Sequence, residues 1–181
     1  MELNERMLKN KDAMLRKWFE HLLETYPPET ARFMKREPNQ FANPVGHTLH
    51  QGMEGVLEGF LQGMDPQKIS SSLDKIIRIR AVQTFAPSQA VAFVLYLKRV
   101  IRDSLSDDIR ENRVSPAVLE TLDSQVDEIA LLAFDIYMQC RETLYENRVN
   151  EVKNRSFRLL QRANLVVELP DTKIDPEPKH T

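Results

Sequence analysis

Few residues in this sequence have the types and spacing that chemistry needs, and the cysteine and histidines come first. Cys140 is the single cysteine, so the chain cannot form an internal disulfide. It lies at an apolar position of a helical pattern with no histidine within a turn, which predicts a buried hydrophobe rather than a nucleophile. No metal-ligand spacing, glycine-rich phosphate loop or Ser/His/Asp group stands out. The sequence therefore predicts a protein that is not an enzyme.

A small-ligand pocket is the next candidate, beside a stripe of glycines on one predicted helix. The stripe consists of Gly52, Gly55, Gly59 and Gly63. An interior glycine costs a helix about 0.8–1.0 kcal/mol relative to alanine. We favour a close helix crossing as the reason, with Gly63 as the C-cap, over a ligand at the bare backbone. Weak candidates for lining a pocket are His50, Phe60, Phe93 and Tyr96. Aromatic residues at helical spacing are more often core, and no cofactor is predicted.

The third candidate is a basic segment near the end of the chain. Its basic residues are Arg148, Lys153, Arg155, Arg158 and Arg162. A nucleic-acid interface would use such a stripe. However, Glu142, Glu146 and Glu151 lie among them, and an apolar pattern continues beneath the charges. A coiled coil or a partner-docking surface is therefore the better interpretation, and we expect no nucleic-acid binding.

The composition indicates a soluble protein of one domain with an appendage. The chain has 181 residues, of which 41% are hydrophobic and 29% charged, and a formal net charge of −2. This charge gives no global attraction to nucleic acid or anionic lipid. The N-terminus carries charges where a signal peptide needs its apolar segment. A single cysteine also suits a reducing compartment. We expect a cytoplasmic protein without membrane insertion.

Apolar residues at three- and four-residue spacing predict an all-α fold. The predicted helices are 3–26, 28–35, 44–63, 66–82, 87–105 and 116–144, with a turn or short helix over 104–113. Within them, Ile77–Arg80 alternates like a strand, but the helical period continues around it. Every residue from Ala90 to Leu97 is apolar, which predicts a central helix buried on all sides. This run is far below the roughly 20 residues that span a bilayer.

The last predicted helix is longer than one compact domain needs. From Pro116 to Ala163 it would measure roughly 70 Å at 1.5 Å per residue. We expect residues 145–164 to project as a linker helix or to pack on a partner, and 165–181 to form a disordered tail. The predicted dimer or partner interface follows the apolar seam of this helix. It comprises Leu122, Val126, Ile129, Ala133, Ile136, Tyr145, Val149, Val152 and Leu159.

Three segments carry a resemblance to a known family. ETYPPETARF (24–33), QFANPVGHTL (40–49) and IIRIRAVQTFAPSQAVAFVLYLKRVI (76–101) resemble the RsbRD-type N-terminal domain. This domain is the sensor half of stressosome co-antagonists of the RsbR group. The resemblance implies a globin-like fold over 1–144, pairing of two domains through their terminal helices, and a long helix that leads to a STAS domain. The chain leaves no room for that STAS domain, so its phosphorylation sites and kinase contacts cannot be carried over.

A globin-like fold raises the question of haem. A haem globin needs a proximal histidine before its central helix, and Pro66–Val82 contains none. His47 is expected on an exposed face, and His50 at an apolar border. We therefore predict a non-haem signalling module that acts through protein–protein contacts. Its expected partners are a second copy of the chain and a STAS-domain scaffold or serine kinase. The alternatives are a haem- or small-ligand-binding sensor and a docking subunit of a larger complex.

Overall fold

The computed structural model describes residues 3–37, 39–163 and 165, and the predicted all-α class is confirmed. Over these residues the chain forms eight helices and no strand. The helices are α1 (Leu3–Lys9), α2 (Lys11–Leu23), α3 (Pro28–Arg36), α4 (Pro44–Leu61), α5 (Pro66–Val82), α6 (Pro87–Ser104), α7 (Ser106–Arg110) and α8 (Pro116–Arg162). The globin-like arrangement stays a prediction, and the predicted tail lies outside the described residues apart from Leu165.

The helix starts follow from side chains that satisfy free backbone N–H groups. The Asn43 carboxamide oxygen accepts a hydrogen bond from the Gly46 N–H at 2.9 Å. The Asp65 carboxylate accepts from the N–H groups of Gln67 and Lys68, each at 3.1 Å. Proline occupies the first position of α3, α4, α5, α6 and α8, where no intrahelical N–H bond is lost. These local signals fix where each helix begins.

Two predicted boundaries are corrected by the structure. The helix predicted over 3–26 is two helices, α1 and α2, separated at Asn10. The helix predicted over 44–63 ends at Leu61, and Gly63 takes a left-handed conformation with φ of 88° just beyond it. The segment Ile77–Arg80 lies within α5, so the helical reading of its alternating pattern is confirmed.

Helices α4 and α5 cross so closely that glycine is required on α4. A Cβ added at Gly52 would lie 2.6 Å from Ile76 Cγ1 and 3.1 Å from the Ser72 carbonyl oxygen. One added at Gly55 would lie 2.2 Å from the Ser72 hydroxyl, and Gly59 meets α5 in the same way. The glycine stripe is therefore explained by a close helix crossing, as predicted.

Helix α6 is buried on one face only, so the prediction of a helix without an exposed side was wrong. Phe93 and Leu97 are fully buried, whereas Leu95 is 48% and Tyr96 38% exposed. The buried face packs in the core that α2, α4 and α5 share. The opposite face is only partly covered, so Leu95 and Tyr96 remain in contact with water.

The chain divides into two compact units, Met1–Glu142 and Thr143–Thr181. In the first, α8 contributes Val126, Ile129 and Ala133 to the core. Tyr137 donates a hydrogen bond of 2.5 Å from its hydroxyl to the Phe85 carbonyl. Lys98 Nζ on α6 lies 2.7 Å from the Asp127 carboxylate on α8. These contacts hold the first part of α8 along α6 and the loop before it.

In the second unit, the described residues consist mainly of the end of α8. Every side chain from 145 to 163 is exposed. No helix in the described part of the chain combines the length and apolar character needed to cross a bilayer.

We predict that Gly52→Leu destabilises the protein, because the new side chain meets the Ser72 backbone carbonyl, which cannot rotate away. Overpacking of this kind costs about 1–3 kcal/mol, and the helix propensity of leucine offsets only part of it. The measurement is chemical denaturation followed by circular dichroism. The matched control is Ser71→Leu on the exposed side of α5, expected within about 0.5 kcal/mol of wild type. Equal stability of the two variants would contradict the close crossing.

Candidate functional site

The four weak pocket candidates occupy three different surroundings in the structure. Phe60 and Phe93 are core residues, and the Phe93 ring stacks on Trp18 with centroids 5.9 Å apart. Tyr96 is exposed and stacks on the His21 ring, with centroids 5.0 Å apart. His50 lies at a separate groove that none of the other three candidates lines. The candidates therefore do not converge on one cavity.

Cys140 has the environment of a structural thiol. It is partly buried, and this burial raises the pKa of its thiol. The neighbouring Arg78 charge opposes the rise in pKa, and the Asp74 charge adds to it. A raised pKa lowers the fraction of reactive thiolate. Within the described ranges, no group of three or more His, Cys, Asp or Glu side chains could hold a metal ion.

The structure reveals one site that the sequence reasoning missed, a buried guanidinium at the end of α5. Arg80 has no exposed surface. Its guanidinium carbon lies 4.1 Å from the centroid of the Phe85 ring and 5.5 Å from that of Tyr26. Its terminal nitrogens donate to the Thr25 hydroxyl at 3.1 Å and to the Gln89 carbonyl at 2.8 Å.

This arginine cluster joins three helices through neutral groups. Thr25 and Tyr26 follow α2, Arg80 lies on α5, and Gln89 lies on α6. Among the described residues, no carboxylate pairs with Arg80, and its Nε atom has no hydrogen-bond partner. Burial lowers the pKa of Arg80 because the charged form loses its hydration. Cation–π contacts with the rings compensate part of that loss, so the buried charge is held where the three helices meet.

The predicted interface residues on α8 divide into two sets. The members that lie in the core of the same chain are Leu122, Val126, Ile129, Ala133 and Ile136. The members that lie in the second unit are Tyr145, Val149, Val152 and Leu159. The second set is between 49% and 64% exposed. Only this set is available to a partner as the structure stands.

The first unit adds exposed apolar residues that the sequence reasoning did not single out. Those on α8 are Leu131, Phe134 and Met138. The ion pair between Lys98 and Asp127 sets the register of α6 against α8. Leu95 is three residues before Lys98 on α6 and Leu131 is four residues after Asp127 on α8, so each lies about one helical turn from the ion pair. The signal that would have found them is a second apolar spacing of three and four on α8.

Exposed apolar rows of this kind have a general meaning. Single apolar side chains on a surface are ordinary, but contiguous apolar patches mark interaction sites. Each unit carries such a row on α8. The basic side chains at Arg148 and Arg155 are also exposed, with Glu151 between them in sequence. The exposed surface of α8 therefore combines apolar rows with charged side chains of both signs.

Comparison with known proteins identifies a family. A family model, described as the RsbT co-antagonist protein rsbRD N-terminal domain, matches residues 12–152. No curated protein and no solved structure matches the chain. The matched segment includes the arginine cluster, both rows of exposed apolar residues as far as Val152, and all helices from α3 to α7.

We predict a loss of stability at high pH that depends on Tyr26. Burial raises the pKa of its phenol, and the Arg80 charge opposes this rise only in part. In the unfolded chain the pKa is about 10, so above about pH 10 the unfolded chain releases this proton first. The free energy of unfolding of wild type should therefore fall as pH rises, relative to that of Tyr26→Phe.

The measurement is urea denaturation of both proteins from about pH 7 to 11, since the unfolded phenol titrates near pH 10. The difference between the two unfolding free energies at pH 7 serves as the baseline, because it includes the loss of the hydrogen bond that the Tyr26 hydroxyl donates to Gln83. Parallel curves over the whole range would contradict the burial of the phenol.

Proposed function

We propose a regulatory function for this chain, because it belongs to the family of RsbT co-antagonist protein rsbRD N-terminal domains. The match over residues 12–152 covers well over half of the chain and confirms the resemblance seen in its sequence. The family is one of signalling domains associated with the stressosome. For this chain we propose a non-enzymatic module that acts in the cytoplasm through protein–protein contacts.

The observation that carries the proposal is the exposed apolar row of the second unit. Tyr145, Val149, Val152 and Leu159 recur at spacings of four, three and seven residues on one helix. Spacings of this kind place side chains on one face, as in the seam of a coiled coil. Val149, Val152 and Leu159 are 49% to 64% exposed in a single chain, so much of their apolar surface faces water.

A second copy of the chain is the partner that we propose for this face. Full burial of a valine or leucine side chain contributes about 1.5–3 kcal/mol, and a symmetric pair buries each residue twice. The free energy gained from this burial must exceed the translational and rotational entropy lost on association. For this reason a coiled-coil seam normally uses several apolar residues on each copy. The exposed row of the first unit, with Leu131 and Phe134, gives each copy a further apolar surface.

The remaining parts of the proposal follow the family. We propose a globin-like arrangement for residues 1–144, without haem, because α5 carries no histidine. The end of α8, from residue 145 to Arg162, acts in this proposal as the linker helix that transmits a change at the domain to the pairing of the two copies, and residue 164 of the predicted linker lies outside the described residues. The proposed further partner is a STAS-domain scaffold or a serine kinase. Binding to nucleic acid is not part of the proposal.

We predict that Val149→Glu/Val152→Glu, which places two charges in the seam, converts a dimer to a monomer. Burial of an unpaired carboxylate costs more than the seam gains, so the dissociation constant should rise at least about a hundredfold. Sedimentation velocity over a concentration series measures this constant. The matched control, Asn147→Glu/Asn154→Glu, adds the same two charges at other exposed positions of the helix and should remain dimeric.

The same three proteins serve as baits for the proposed partner. Purified bait is mixed with native bacterial lysate, and bound proteins are identified by mass spectrometry. The proposal expects a STAS-domain protein or serine kinase with wild type and the control, and a loss with Val149→Glu/Val152→Glu. A wild-type protein that stays monomeric, or a control that dissociates equally, would refute pairing through this face. Recovery of only an unrelated complex would instead assign the chain to a docking role.

A further inference from the structure

A groove at the surface of the first unit has the size and lining of a small-molecule site. It lies between α2, the end of α3 with the segment that follows it, and the first turns of α4, and its volume is about 420 Å³. Binding sites for small molecules typically span about 300–1,000 Å³. The groove is lined by Arg16, Phe19, Glu20, Met34, Lys35, Glu37, Asn43, Gly46, His47 and His50.

The floor and rim of this groove are held by buried contacts. Asn43 is almost fully buried, and its amide nitrogen donates to the carbonyls of Met34 at 3.1 Å and Glu37 at 3.0 Å. A Cβ on Gly46 would lie 2.4 Å from the Asn43 amide nitrogen, so only glycine fits beside it. The groove is thus formed in advance, which reduces the entropy that a ligand must lose on binding.

One wall of the groove is apolar and aromatic. The Phe19 ring and the Met34 side chain are each only 9% exposed as residues. The His50 ring meets the Phe19 ring edge to face, with centroids 5.1 Å apart and an interplanar angle of 82°. A flat apolar group can lie against this wall, since aromatic rings prefer edge and offset contacts.

Arg16 and the two histidines are the groove residues whose side-chain N–H donors remain free. Lys35 is paired with Glu20 at 2.6 Å, and the Glu37 carboxylate accepts from the Asn39 N–H at 2.9 Å. The side chains of Arg16, His47 and His50, by contrast, make no hydrogen bond or ion pair within the described part of the chain. A guanidinium binds a carboxylate through two parallel hydrogen bonds. The free chemistry of the groove is therefore that of an anion site beside an apolar wall.

We propose that this groove binds a small organic carboxylate with a flat apolar body. The carboxylate pairs with the Arg16 guanidinium, and the imidazoles of His47 and His50 donate the further hydrogen bonds. The apolar body lies against Phe19 and Met34. Binding at this groove would let the domain respond to the concentration of a small molecule. The binding itself does not require that two copies pair through α8.

The test uses the 181-residue chain, indole-3-acetate as probe and two-dimensional amide NMR. The neutral analogue indole-3-ethanol has the same body without the carboxylate, and inorganic phosphate is an anion without the body. Saturable shifts at the amides of Phe19, Gly46 and His50 with indole-3-acetate are expected. Indole-3-ethanol and phosphate should each bind at least about tenfold more weakly, since each loses one of the two contacts.

Arg16→Gln tests the proposed anchor, and its side chain is exposed, so the fold should be retained. This variant should weaken indole-3-acetate binding at least about tenfold, because a charged pair is lost. The control is Arg99→Gln, an exposed arginine of α6 outside the groove, which should bind as wild type does. Equal binding of the neutral analogue, unchanged binding by Arg16→Gln, shifts outside the groove, or no saturation below about 10 mM would each overturn the proposal.

Discussion

The close crossing of α4 and α5 is the contact on which the rest of this structure depends. It is the most extensive contact between two helices of the described chain, and glycines of α4 such as Gly52 admit it. Each interior glycine lowers the stability of the helix. In this position, however, the glycines let the backbones of α4 and α5 approach closely, and Ile76 is completely buried between them. The crossing also fixes the end of α5. Arg80 is thereby placed between the turn after α2 and the start of α6, where its charge contacts aromatic rings and neutral oxygens.

Helix α8 serves two purposes with different parts of its surface. In the first unit it supplies Val126 and Ala133 to the core, and in the second unit it presents Val149 and Val152 to water. A helix that only completes a core needs one apolar stripe. Apolar residues outside that stripe are not required for packing within the chain. The family to which the chain belongs consists of signalling domains associated with the stressosome.

Local signals in the sequence predicted more than long-range ones did. Proline and capping residues gave the helix starts, because a cap such as Asn43 acts within three residues. The break at Asn10 carries only a weak local signal and was not predicted. Arg80 continued an apolar period on α5, but its burial depends on rings that lie far away in sequence. The sequence predicted one continuous apolar seam along α8. However, the step from Cys140 to Tyr145 is five residues, which breaks the spacing of three and four.

The central claim is that two copies of the chain pair through the exposed apolar row of α8, and isotope-filtered NMR tests it most directly. One copy carries labelled methyl groups and the other does not, so a filtered nuclear Overhauser effect reports only contacts between copies. The account predicts such effects at the methyls of Val149, Val152 and Leu159, and none at Val126, which is buried within its own chain. A dimer whose contacts between copies leave Val149 and Val152 silent, or a sample without any such contacts, would contradict it.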